Sequence, residues 1–293
     1  MISKKIHYFI TLAECLNFTQ TAAKYEISQT AVSQYIASLE ERLGVKLFTR
    51  TQRSVVLTDA GQYYYEHVRQ ILQEYEDTLT NVHAIAESYH GYLKVGIGMY
   101  EYCSTERFFS AFLKAHPEIK VDILQYPYST LTEQLRTGEL DIIIGDALCE
   151  NAFSRHELMS RTLFSSPNYI VAEASVAERY GDDLAGMLHH ECLITNCEED
   201  GPSSLGMLRR LLMDELGFVP ENIAQTNSIN AQLMIVRAAH GVAIVPGFVA
   251  DVQAPDLVRY PLPEHRDVHY QVMKLRNANN PFADLMYEFR PET

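Results

Sequence analysis

Ser28, Gln29, Thr30, Ser33 and Gln34 have the chemistry to read a nucleic-acid base. Amide side chains of this length pair with adenine through two hydrogen bonds, and hydroxyls reach base edges or phosphate oxygens. The residues between and beyond them, Ala31, Val32, Ile36, Leu39 and Leu43, recur at three- and four-residue spacing, which is the buried stripe of one helix. The same polar positions also suit an ordinary solvated helix face. The neighbouring elements decide between the two.

Upstream, Ile6, Phe9, Ile10, Ala13 and Leu16 predict a first helix that Asn17-Phe18 interrupts. Thr19 then suits the cap of a short second helix over residues 20–25, where Ala22-Ala23 permits close packing. Ser28 caps the third helix and Gly44 ends it. Two short helices joined by a tight turn make a helix-turn-helix. Residues 45–48 and 55–57 are β-prone and flank Thr51-Gln52-Arg53-Ser54, so a hairpin is expected with Arg50 and Arg53 at its tip. Such a wing places arginine against phosphate or in the minor groove.

Thr58 is placed to cap a long helix running to about residue 89. Along it Tyr64, Val68, Ile71, Tyr75, Leu79, Val82, Ala86 and Tyr89 form one apolar stripe. Such a stripe needs a partner. A symmetric dimer through this helix is the economical reading, and packing against the chain's own second domain is the alternative. Gly91 marks the boundary.

The formal charge of −14 over 293 residues argues against a DNA partner only until its distribution is considered. Residues 1–58 carry seven basic and four acidic groups, and the remainder carries 17 basic and 34 acidic. A mildly basic head is thus joined to an acidic body.

From Tyr92 onward strands and helices alternate. Strands are expected at 93–97, 119–124 and 141–145, with helices at 106–115 and 131–137 between them. A second series has strands at 169–172, 192–195, 223–226 and 242–245, with helices at 204–216 and 229–239. This predicts two α/β lobes. A late strand (269–275) and helix (282–289) are expected to return to the first lobe, with crossovers near Leu163 and Glu264.

A ligand would sit between the lobes, where strand ends and helix N-termini offer free N–H groups. The candidate contacts are Tyr100 and Tyr102 in the 99–104 loop, Ser129-Thr130, Asn196 with Ser203, and Asn227-Ser228. Thr130 and Glu133 also have capping-box spacing, and Ser203 and Ser228 also suit plain helix caps. With Tyr126 and Tyr128, the tyrosines flanking the first two loops suit stacking on a flat ligand. A small carboxylate is the expected effector.

Other chemistry finds less support. His189, His190, Cys192 and Cys197 match no closed zinc pattern, and no metal or cofactor is expected. Five cysteines at irregular spacing do not read as a disulfide framework. Cys192 and Cys197 remain an alternative as a thiol redox sensor, although the surrounding acids Glu191, Glu198, Glu199 and Asp200 disfavour thiolate. Gly96-Ile-Gly98 lacks the third glycine of a dinucleotide loop, and no hydrolase elbow or metalloprotease pair appears, so no enzyme is expected; a small-molecule-binding protein or enzyme without a DNA role would not need the first ninety residues. No apolar run approaches membrane-spanning length and no signal-peptide pattern opens the chain, so a cytoplasmic location with no membrane partner is expected.

Phe18-Thr-Gln-Thr-Ala-Ala, Ser28-Gln-Thr-Ala-Val-Ser, Leu39-Glu, Leu43-Gly, Leu47-Phe48-x-Arg50, Arg53 and Leu57-Thr58-x-Ala60-Gly61 resemble the N-terminal signature of LysR-type transcriptional regulators. Thr30 stands where that family usually has proline, and Tyr35 where glutamine is common. Leu140-Asp-Ile-Ile-Ile-Gly and Ala239-His-Gly-Val-Ala-Ile-Val-Pro extend the resemblance, more loosely, into the body. The resemblance implies a winged helix-turn-helix DNA-binding domain (1–58), a dimerising linker helix (59–90) and a two-lobed, periplasmic-binding-protein-like effector domain (91–293). Its lobes would comprise about 91–163 with 265–293, and about 164–264. It places Gln29, Ser33 and Gln34 in the major groove of double-stranded DNA, and Arg50 and Arg53 on the flanking backbone or minor groove. It also implies a homodimer or homotetramer, a small-molecule effector, and contact with RNA polymerase at the promoter.

Overall fold

The computed structural model describes residues 6–50, 55–86, 90–197, 205–262 and 267–291. They form two compact units, residues 1–82 and 83–293.

The first unit opens with helices α1 (Ile6–Cys15), α2 (Phe18–Lys24) and α3 (Gln29–Leu43). Asn17, not Thr19, caps α2: its side-chain oxygen accepts from Thr19 N at 2.9 Å and Gln20 N at 3.1 Å, and the helix starts two residues earlier than the threonine implied. Extended backbone at Asn17 leaves its short amide facing the first free N–H groups, the geometry a capping side chain needs. Ser28 caps α3 through Ala31 N at 3.1 Å, and Gly44 ends it in the left-handed conformation at φ +70°. Phe9, Leu12, Val32, Ile36, Leu39 and Leu47 form the core beneath.

Strands β1 (Phe48–Arg50) and β2 (Val55–Leu57) pair antiparallel. The carboxylate of Glu40, buried on α3, accepts from the backbone N–H of Leu47 at 3.0 Å and of Phe48 at 3.1 Å. Lys46 Nζ donates to its other oxygen at 2.7 Å. Burial alone would raise this carboxyl, but the bonds from Lys46, Phe48 and Leu47 outweigh it and hold the group below the ordinary carboxylate range. Glu40 therefore braces the third helix against the strand that opens the hairpin.

Helix α4 (Asp59–Ala86) follows, with Gly61 N donating to Thr58 Oγ1 at 2.9 Å. A Cβ at Gly61 would lie 2.0 Å from the Leu47 carbonyl oxygen, so only glycine lets α4 approach this closely. Val68 and Leu72 are buried, while Ile71, Leu79, Val82 and Ile85 stay exposed on the same helix.

The second unit holds two five-stranded sheets. The first is ordered β4-β3-β5-β12-β6, from β3 (Gly91–Ile97), β4 (Ile119–Gln125), β5 (Ile142–Asp146), β6 (Leu158–Ser166) and β12 (Val268–Leu275). The second is ordered β11-β7-β10-β8-β9, from β7 (Asn168–Ala172), β8 (Leu193–Thr195), β9 (Ile223–Gln225), β10 (Val242–Pro246) and β11 (Val258–Pro261). Each sheet has a parallel part, β4-β3-β5 in one and β10-β8-β9 in the other, flanked by antiparallel strands. Helices α5 (Tyr102–Ala115), α6 (Tyr128–Thr137) and α12 (Pro281–Glu288) belong to the first lobe. Helices α7 (Ala174–Tyr180), α8 (Leu184–His190), α9 (Leu205–Leu216), α10 (Ile229–Arg237) and α11 (Gly247–Gln253) pack into the second.

The chain passes from the first sheet to the second at Pro167 and is back in the first by β12; Glu264, where the second crossover was expected, lies outside the described residues. The first crossover falls beyond Leu163, because β6 goes on pairing with β12 as far as Ser166. Pro167 then interrupts the run with no N–H to give a ladder. Two helices also start earlier than their apolar spacing implied. Helix α5 begins at Tyr102, so most of the expected 99–104 loop is its first turn. Helix α6 begins at Tyr128 with Pro127 as its cap residue, and the Pro127 carbonyl accepts from Leu131 N at 2.9 Å. Thr130 thus sits inside the first turn and is not a capping-box residue.

No helix among the described residues is long and apolar enough to cross a membrane.

Candidate DNA-reading helix and interlobe cavity

On α3 the side chains of Gln29, Thr30 and Gln34 are exposed and Ser33 is half-buried, on the face opposite Val32, Ile36 and Leu39. Ser28 is also exposed, but its hydroxyl oxygen is used by the cap. Tyr35 is partly buried, its ring edge-on to Tyr8 at 5.8 Å, so this residue belongs to the packing of the head. Arg50 ends β1 opposite Val55, and Arg53 lies outside the described residues.

In the second unit a cavity of about 390 Å³ opens between the two sheets. Asp146, Thr195 and Pro246, the last residues of β5, β8 and β10, reach it, which is where ligands sit in α/β sheets. Tyr100, Tyr128 and Tyr270 line its first-lobe side, and Leu193, Leu211 and Ile244 its second-lobe side.

Beneath the tyrosines lies Glu101, fully buried. Tyr128 donates its phenol proton to Glu101 Oε1 at 2.5 Å, and Tyr100 N donates to Oε2 at 3.0 Å. Burial pushes this carboxyl up to about 8 in spite of those bonds. Gly98 makes the room: a Cβ there would stand 2.3 Å from both the Glu101 carboxylate and the Tyr128 ring. Asp146 accepts from Leu148 N at 2.8 Å and is pushed up by burial to about 6, the bond from Leu148 and the nearby His269 opposing the shift. The His269 ring shares a 2.7 Å hydrogen bond with Ser165, its neighbour across β6 and β12.

Of the residues expected at this site, Tyr100 lines the cavity, and its hydroxyl donates to Asn196 on the opposite lobe. Tyr102 turns away and hydrogen-bonds Gln253 of α11, whose amide also donates to Cys103 Sγ at 3.0 Å. Ser129 and Thr130 lie in α6 off the cavity wall, and Asn227 is exposed away from it. Ser228 caps α10 through Ala231 N at 3.2 Å. Ser203 lies outside the described residues.

Tyr128, expected to stack on a ligand, also lines the cavity, whereas Tyr126 is not among its lining residues. Asp146, His269 and the buried Glu101 were not among the expected residues. Asp146 carried a readable signal, since it directly follows a buried strand. His269 and Glu101 carried none, being brought in by a returning strand and by burial.

Cys197 lines the cavity, and Thr195 Oγ1 donates to its sulfur at 3.0 Å. The extended strand β8 (Leu193–Thr195) lies between Cys192 and Cys197. No cluster of three His, Cys, Asp or Glu among the described residues is arranged to hold a metal.

Residues 3–62 match the bacterial regulatory helix-turn-helix protein, lysR family, and residues 86–290 match the LysR substrate binding domain. The chain belongs to the LysR family. Its relatives include the HTH-type transcriptional regulator TfdS of Cupriavidus pinatubonensis, 30% identical over 86% of this chain and 84% of that protein. ShiR of Corynebacterium glutamicum is 29% identical over 88% of this chain and 86% of its own length. The fold matches the crystal structure of CbnR, a LysR family regulator, with a TM-score of 0.65 at 23% identity, covering 98% of this chain and 97% of that one. As a LysR regulator, the chain combines a helix-turn-helix DNA-binding domain with a two-lobed, periplasmic-binding-protein-like effector domain.

Proposed function

We propose that this LysR regulator reads operator DNA through the exposed N-terminal face of α3, with Arg50 and Arg53 on the flanking backbone or minor groove. A small molecule bound between the lobes would control it. The observation that carries the reading is the polar face of α3. Gln29, Thr30 and Gln34 are free of the core, while Glu40 braces the helix against the hairpin and Ser28 caps its first turn. A full-length CbnR structure of the same fold, at TM-score 0.63, is complexed with its target DNA, which supports DNA as the partner.

In this reading residues 1–58 are the DNA-binding head, 59–90 the linker and 91–293 the effector domain. The exposed apolar side chains of α4 pair two copies, further pairing of effector domains gives a tetramer, and the assembly meets RNA polymerase at a cytoplasmic promoter. Effector binding alters the angle between the lobes and so the spacing of the paired heads. Redox sensing by Cys192 and Cys197 is not favoured, because the extended strand β8 lies between them.

The test is salt-dependent fluorescence anisotropy on fragments of the gene's own upstream region. Wild type should bind one fragment with a steep salt slope. Gln29→Ala should lose about 1–3 kcal/mol of discrimination over random DNA, while Arg53→Ala weakens all DNA alike. Equal binding to operator and random sequence by wild type and Gln29→Ala, after genome-wide selection of fragments, would refute it.

A further inference from the structure

The chemistry of the cavity wall narrows what can occupy it. The body of the wall is apolar, with Leu193, Ile194, Leu208, Leu211, Ile244 and Val268 offering room for a ring or branched hydrocarbon. The charged residues among the described lining are Asp146, Asp267 and His269, with no lysine or arginine. Three tyrosines, Tyr100, Tyr128 and Tyr270, also line this space, and aromatic rings are favourable neighbours for a cation.

The amide donors that an anion would need at this wall are partly taken by the protein's own carboxyls. Leu148 N donates to Asp146, and Tyr100 N at the start of α5 donates to Glu101. Helix α6 opens at Pro127 without a side-chain cap. Its first residue, Tyr128, lies within the electrostatic reach of Asp146, so an anion placed there meets an acid. His269 stands close enough to Asp146 to favour its ionised form.

We propose that the cavity takes a small amine carried on an apolar, ring-sized body, with Asp146 as the counter-charge to its nitrogen and the tyrosines around it. This departs from the carboxylate that helix N-termini alone suggested, and it rests on the cavity being the effector site.

The experiment compares three probes with the same ring on the full-length protein: benzylamine, benzyl alcohol and benzoate, titrated by calorimetry at neutral pH. Benzylamine should bind at least about tenfold tighter than benzoate, the size of one charge-assisted hydrogen bond, with benzyl alcohol between them. Asp146→Asn keeps the oxygen that accepts from Leu148 N, so the fold should persist while the preference of benzylamine over benzyl alcohol collapses toward unity. Benzoate binding as tightly as benzylamine, or a preference that Asp146→Asn leaves intact, overturns the proposal. Silence from all three up to about 10 mM, where a ligand of this size is expected to register, overturns it as well. Leu211→Trp, which fills the cavity from a position 37% exposed, separates the two readings. If it leaves all binding unchanged, the cavity is not the site; if it abolishes binding but benzoate was preferred, only the ligand class is wrong.

Discussion

Removing the Glu40 side chain by Glu40→Ala should loosen the join between α3 and the hairpin. Two backbone donors, Leu47 N and Phe48 N, lose one shared acceptor oxygen in a site where Glu40 is 4% exposed. Each buried donor left without a partner costs about 1–3 kcal/mol, so a loss of about 2–6 kcal/mol is expected for the two. Lys46 is largely exposed, and its ion pair should add little. This makes Glu40→Gln the decisive control. Glutamine keeps an oxygen where Oε1 accepts both amides and gives up only the exposed pair, so it should cost less than about 1 kcal/mol. The assay is amide hydrogen exchange at Leu47 and Phe48, read beside urea unfolding. Protection at both amides should fall in the alanine variant and persist in the glutamine one. Equal behaviour of the two variants, or unchanged exchange in Glu40→Ala, would refute the reasoning. Because the bonds hold this carboxyl low, its contribution should persist at neutral pH and disappear as pH falls through that depressed value.

Glu101 should behave with the opposite sign. Its carboxyl is raised to about 8 in the folded protein and returns to its ordinary value on unfolding, so the unfolded chain gives up its proton first. Stability should therefore fall as pH rises from about 4.3 toward 8, and Glu101→Gln should flatten that slope in melting-temperature scans. An unchanged slope would show that Glu101 ionises freely in the fold. On α4, Ile71 and Val82 are 58% and 56% exposed, which a lone helix gains nothing from. The double substitution Ile71→Glu and Val82→Glu should shift the particle mass measured by light scattering toward the monomer without lowering helix content; a mass that stays put would exclude this face as the pairing surface.

The head was legible residue by residue because its determinants are local. Apolar spacing of three and four, Ser28 at the start of α3 and Gly44 at its end lie within one element, and the family signature is carried by the same short stretch. The errors there were of one turn. Asn17 rather than Thr19 caps α2, since both neighbours have capping chemistry and only backbone dihedrals choose between them. Likewise Thr130 and Glu133 have the spacing of a cap, yet α6 had already begun at Tyr128. The alternation of strands and helices announced two lobes, and Asp146, at the end of a buried strand, was within reach of the same logic.

The composition of the cavity wall was not legible. Asp146, Thr195, Leu211 and His269 meet only because the chain crosses twice between sheets and β12 returns beside β5 and β6. Nothing local in the chain records that Glu101 is sealed under Tyr128, or that Gln253 reaches Tyr102 from another lobe. Periodicity and capping act over a few residues, so one strand of sequence states them outright. Burial, charge and ligand chemistry depend on which distant segments become neighbours, and packing of the two sheets alone settles that.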